Sequence, residues 1–137
     1  MMDFVAIDVE TANADLSSIC HIGIAKYSNS ELVDEWSSLI DPEDYFDLMN
    51  IYVHGITEGD IKGAPILPQI VTGLQSYMDN VVCVSHTHFD RVSITRAFSK
   101  YGLKPLDVIW LDSARVARRA WKQFARSGYG LSNICKH

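Results

Sequence analysis

Val81-Val82-Cys83-Val84 is a run without a polar residue, set between two segments of helical periodicity. A strand that is apolar on both sides must be covered on both faces, as in the parallel part of an α/β sheet. Upstream of it, Ile66, Ile70, Leu74 and Met78 recur at i, i+4, which predicts an amphipathic helix over 65–79. Downstream, Ile94, Ala97, Phe98 and Tyr101 mark a second helix over 91–101, with Gly102 as its stop. A short strand follows at 108–111. Asp112 then caps a helix predicted to run through Ser127 and Gly128.

The first forty residues read differently. β-Branched content predicts strands at 4–9, 18–27 and 31–40. Ser28-Asn29-Ser30 is a turn signal that makes the second and third an antiparallel hairpin. Asp41-Pro42 ends the third, since proline has no place in a central strand. Residues 43–63 read as irregular. The sum is an α/β fold, a five-stranded mixed sheet in the order 3-2-1-4-5 flanked by helices. Strands one, four and five run parallel, with right-handed crossovers.

The 137 residues, 47% hydrophobic and 21% charged, fit a single globular domain over 1–137, without repeat, low-complexity tract or linker. A net charge of −5 excludes a wholly basic nucleic-acid binder, so any such contact needs a local basic patch or metal ions. Cys20, Cys83 and Cys135 are odd in number and far apart, which argues against a disulfide framework or zinc ribbon. The opening MMDFVAIDVE carries three acids and does not read as a signal peptide, and no apolar run reaches the length of a membrane span. The expectation is a cytoplasmic protein with no membrane contact.

Asp8 and Glu10 are two residues apart at the end of the first strand, so their side chains share a face. Adjacent carboxylates repel and are costly to desolvate unless a hard cation neutralises them; solvated acids at a strand end are the plain alternative. Asp90 lies just after the buried strand. It reads either as a first-turn helix aspartate or as a third acid at the carboxyl ends of the strands, where open α/β sheets bind ligands. Three such acids could hold two Mg²⁺ or Mn²⁺ ions, the arrangement of phosphodiester hydrolysis.

Four ordered segments carry a resemblance. Asp8-Val9-Glu10-Thr11 resembles the D-x-E-T motif of the DEDD exonucleases. Ser85-His86-Thr87-His88-Phe89-Asp90-Arg91 resembles their second motif, with Thr87 where asparagine is usual. His54-Gly55-Ile56-Thr57 resembles the H-G-I-T segment between them, and Leu111-Asp112-Ser113 the aspartate that opens a helix. The chain is most similar to the epsilon-type (DnaQ-like) 3′–5′ exonucleases of the ribonuclease H-like fold.

The resemblance implies a metal-dependent exonuclease that releases nucleoside 5′-monophosphates from the single-stranded 3′ end of DNA or RNA, partnered by a polymerase or an appended domain. It assigns Asp8, Glu10 and Asp90 as catalytic and metal-binding. Asp8 would bridge two ions, Glu10 would hold the ion carrying the attacking water, and Asp90 the other. Thr11, His54, Thr57 and His86 are assigned to substrate, with a hydrogen bond within its own loop also open for His54 and a structural role at the second motif for His86. The family's third motif, H-x-x-x-x-D, has no counterpart in the 137 residues, which implies a C-terminally truncated chain. His137 is not assigned as the base. A catalytically incomplete nucleic-acid-binding module of the same fold is the alternative.

The remaining polar residues have plainer readings. His21 reads as a satisfied core histidine. His86 and His88 form a His-x-His pair without the further ligands of a zinc site. Arg115, Arg118, Arg119, Lys122 and Arg126 fall on one face of the last helix, opposite Ala117, Ala120, Trp121 and Phe124. That face reads first as solvated surface and second as a phosphate-tracking stripe.

Overall fold

The computed structural model describes residues 3–130 and 134–135. Five strands form one sheet: β1 (Phe4–Thr11), β2 (Ile19–Ser28), β3 (Glu31–Leu39), β4 (Val81–Ser85) and β5 (Val108–Asp112). Their order is β3-β2-β1-β4-β5. β1 pairs antiparallel to β2, and β2 to β3. β4 runs parallel to both β1 and β5. The order and directions are those expected, and the apolar run at β4 lies between two parallel neighbours.

Asn29 and Ser30 take φ of 51° and 66°, so the β2–β3 turn is left-handed at both central residues, matching the twist of a hairpin. In β1, Val5, Ile7 and Val9 are buried and meet Ile22 and Ile24 of β2 on one face of the sheet. Helices α2 (Leu67–Met78) and α3 (Phe89–Lys100) close that face with Leu67, Leu74, Met78, Ile94 and Phe98. Each such side chain contributes about 1.5–3 kcal/mol on burial. Ala6, Asp8 and Glu10 therefore project from the opposite face.

Two expectations needed correction. Residues 43–63 contain α1 (Leu48–His54), capped by Asp47, whose carboxylate accepts the Met49 N–H, and closed by Gly55 at φ 76°. None of its residues is buried, so the inward apolar stripe that reveals a helix is missing. The last helix, α4 (Ser113–Ala120), stops well short of Gly128. Its buried stripe is Ala114 and Ala117, whereas Trp121 is 46% exposed with φ −129° and ψ 82°. Beyond Trp121 the chain makes a single 3₁₀ turn at Lys122–Phe124. Lys122 and Arg126 thus do not continue the face of Arg115 and Arg119. The Phe124 side chain, the run 131–133 and His137 lie outside the described residues.

Candidate active site

The site is built where β1 outruns its parallel neighbour. β1 pairs with β4 as far as Ala6, so Asp8 and Glu10 lie beyond the shared ladder, and a register shift follows between Glu10 and Thr11. Asp8 is exposed and Glu10 half-buried. Asp8, Ala6, Gly23, Ala25, Val84, Ser85 and Asp90 line one open groove of about 740 Å³. The small residues Ala6, Gly23 and Ala25 keep its floor low. Glu10 is not in that lining. Among the described residues, no three His, Cys, Asp or Glu side chains gather closely enough to form a metal cluster. Asp8 and Asp90 therefore share a groove whose lining does not include Glu10, rather than forming a finished chelate of three.

Asp90 is 4% exposed and sits in the first turn of α3. Its Oδ1 accepts the Val9 N–H at 2.8 Å, which ties the second motif to the strand bearing the other two acids. Burial pushes its carboxyl up to about 6; the Val9 hydrogen bond opposes the rise, and the Asp8 and Glu10 charges add to it. Asp8 is raised by burial and drawn back by His21. Glu10 is raised by burial and by Asp8, and drawn back by His54 and His21. Asp8 thus raises Glu10, and both raise Asp90; the three carboxylates are hard oxygen donors whose chemistry fits a divalent cation.

His21 is a residue that sequence reasoning misplaced. It pairs in register with Glu10 and is half-buried rather than sealed in the core. Cross-strand partners share a face, so its imidazole stands with the acids. The register between β1 and β2 cannot be read from a hairpin turn, because their connection is an irregular loop.

The four residues assigned to substrate each make hydrogen bonds within the protein. Thr11 is 3% exposed, its carbonyl accepts Asn50 Nδ2 at 3.0 Å, and its Oγ1 accepts the same group at 3.2 Å. His54 Nε2 donates to the Thr11 carbonyl at 2.9 Å while its Nδ1 accepts the Ile56 N–H at 3.0 Å. Nε2 thus anchors the end of α1 to β1, while Nδ1 holds the turn that follows α1. Thr57 caps its own turn through Asp60 Oδ2, by N–H at 2.8 Å and Oγ1 at 3.0 Å. His86 meets Ser113 Oγ at 2.9 Å and the Tyr129 carbonyl at 2.6 Å, which ties the loop after β4 to α4 and to the segment beyond it. Asn50, which grips Thr11 and Asn13, was missed because its helix was missed.

Asp112 opens α4 as expected. Its Oδ1 accepts the N–H groups of Ala114 and Thr87, both at 2.9 Å, joining the end of β5 to the loop after β4. That loop holds Thr87 at φ 74°, a conformation that a β-branched residue rarely adopts and that asparagine tolerates.

Comparison with known proteins bears on the fold and the family. The chain is 26% identical over 137 residues to the PolC-type DNA polymerase III of Halalkalibacterium halodurans, covering 98% of this chain. It is 27% identical over 124 residues to that of Listeria welshimeri, covering 88% of this chain. It spans only 9% of the length of each of these relatives. Among solved structures, a product-bound exonuclease I superposes with a TM-score of 0.84 at 12% identity, over 99% of this chain and 38% of that one. Exonuclease X in complex with 5′ overhanging duplex DNA superposes with a TM-score of 0.65 at 22% identity, over 86% of this chain and 64% of that one. These likenesses establish the shared fold. The RNase_T family model, described as Exonuclease, matches residues 5–137, and the chain belongs to that exonuclease family.

Proposed function

We propose that this chain is the exonuclease domain of a metal-dependent 3′–5′ exonuclease, hydrolysing phosphodiester bonds at the 3′ end of DNA or RNA and releasing nucleoside 5′-monophosphates. The observation that carries this reading is Asp90: a carboxylate 4% exposed, fastened to the Val9 N–H between Asp8 and Glu10. An isolated structural aspartate has no need of two more acids on the next residues of the strand it is fastened to, since each raises its cost of ionisation. The PolC-type relatives are polymerases, and we assign a polymerase as the partner or host of this domain.

Asp8, Glu10 and Asp90 would hold Mg²⁺ or Mn²⁺ as a two-ion site. Bound there, the ions would supply a water of lowered pKa and stabilise charge on the phosphorane and leaving oxygen. The protein's own work is positional. The Val9 N–H fixes one oxygen of Asp90. Asn50 and His54 clamp the end of β1 through the Thr11 carbonyl and so hold the strand that presents Asp8 and Glu10. His21 and His54 lower the cost of ionising Glu10, and His21 that of Asp8. The low floor of Ala6, Gly23 and Ala25 leaves room for a terminal nucleotide beside the acids.

The test is incubation of 5′-labelled single-stranded DNA and RNA oligonucleotides with the full-length protein and Mn²⁺. Stepwise shortening from the 3′ end is expected, and it should vanish in Asp8→Ala and in Asp90→Asn. Shortening that survives Asp8→Ala refutes the assignment. Binding without shortening in the unmutated protein moves the chain to the binding-module reading.

A further inference from the structure

At the carboxyl end of β4 the groove of Asp8 and Asp90 meets a second cleft of about 470 Å³, and Ser85 lines both. The start of α3 and the length of α4 wall this second cleft. Arg91, Arg115 and Arg119 line it together with His88, and Asp112 is the acid in its lining. Asp112 is already committed. Its Oδ1 accepts two backbone N–H groups, and its Oδ2 stands 3.8 Å from Arg115 Nε. One carboxylate therefore faces three guanidinium groups, in a chain whose net charge is −5.

The sequence explains how the arginines meet. Arg115 and Arg119 are four apart on α4 and share a face. Arg118 turns elsewhere, its guanidinium lying 5.6 Å from the centre of the Tyr129 ring. Arg91 follows Asp90 directly, so the first turn of α3 buries its acid in one groove and presents its base to the other. The three arginine side chains are exposed, and gathering like charges is unfavourable in the absence of a counter-anion. A guanidinium fork matches phosphate oxygens in pairs, which a carboxylate-poor cleft leaves available.

We propose that the Arg91–Arg115–Arg119 cleft binds backbone phosphates of a single-stranded nucleic acid, on the same strand whose 3′ end reaches Asp8 and Asp90. The proposal rests on the exonuclease reading for the direction of the strand, and on the shared wall at Ser85 for its continuity.

The experiment measures fluorescence anisotropy of labelled dT12 with the full-length protein in EDTA, where cleavage does not intervene, across a range of salt. Arg115→Gln with Arg119→Gln should weaken binding about tenfold and flatten the salt dependence by about 1.4, near 0.7 for each phosphate no longer neutralised. The single reversal Arg119→Glu, on an exposed helix face, should weaken it as well. Arg96→Gln, which removes one positive charge outside the cleft, should leave binding unchanged. Inorganic phosphate, dTMP and polyglutamate should compete poorly. The proposal is overturned if the arginine variants bind dT12 with unmodified affinity and salt slope, or if Arg96→Gln is as damaging. It is also overturned if phosphate or dTMP displaces dT12 readily, which marks a small-anion site, or if polyglutamate does, which marks an acidic protein partner. Because the assay excludes hydrolysis, the two readings fail separately. Arginine-dependent binding without Mn²⁺-dependent shortening removes the exonuclease reading alone. Asp8-dependent shortening with binding indifferent to the arginines removes the cleft alone.

Discussion

Asp90→Asn should make the metal-free protein more stable while abolishing its activity. The carboxyl of Asp90 is raised from 3.8 to about 6, mainly by burial. Its folded pKa is therefore above its unfolded one, so the contribution to stability is complete below pH 3.8 and is lost as pH rises through about 6. A shift of about two units corresponds to ~3 kcal/mol at neutral pH, at 1.36 kcal/mol per unit. The residue is 4% exposed, so solvent does little to screen this penalty. Asparagine keeps an Oδ1 for the Val9 N–H and carries no charge. In EDTA at pH 7.5 the variant should gain about 3 kcal/mol, a rise in Tm of roughly 10 °C. The gain should shrink toward zero by pH 4. Urea unfolding at the two pH values reads it. Mn²⁺ should stabilise the parent protein and leave the variant where it was. A variant no more stable than the parent at pH 7.5, or a gain independent of pH, would refute the claim that this carboxylate is held at a cost.

Other perturbations separate structure from chemistry. Thr87→Asn should raise stability by about 1 kcal/mol, because it relieves a β-branched residue at φ 74°; thermal unfolding checks this. His54→Ala should cost about 1–2 kcal/mol of stability by freeing α1 from the Thr11 carbonyl, with KM for a labelled oligonucleotide changing less than kcat; a large rise in KM alone would restore a direct substrate contact. Asp112→Ala removes an acceptor shared by the Thr87 and Ala114 N–H groups and should lower stability by about 2 kcal/mol in urea unfolding. Phe98→Ala, in the centre of the covered face of the sheet, should cost about 3–5 kcal/mol on the same measurement.

Patterning along the chain was enough for the strands themselves. The apolar run at β4 is covered less fully than its composition asks: Cys83 is buried, but Val82 and Val84 are half-buried and Val84 lines the open groove. A Ser-Asn-Ser turn between two β-rich runs demands a hairpin, which is local and survives any arrangement of the rest. The pairing of Asp8 with Glu10 was legible for the same reason, since alternation in a strand is a property of the strand itself. Asp90 was legible as an acid following a buried strand, but its hydrogen-bond partner was not. Its attachment to the Val9 N–H spans 81 positions and exists only once α3 packs on β1. His21 reached the acids through a strand register that no turn between β1 and β2 dictates. Thr11, His54, Thr57 and His86 were legible as motif letters, whereas the hydrogen bonds they make within the protein depend on partners that only the fold brings near. The arginines show the same division. Helical spacing placed Arg115 and Arg119 together, whereas Arg91 joined them only because the parallel pairing of β4 with β5 brings the two following helices to one end of the sheet. Local periodicity is written along the chain; a site assembled from several elements is settled by the packing that brings their ends together.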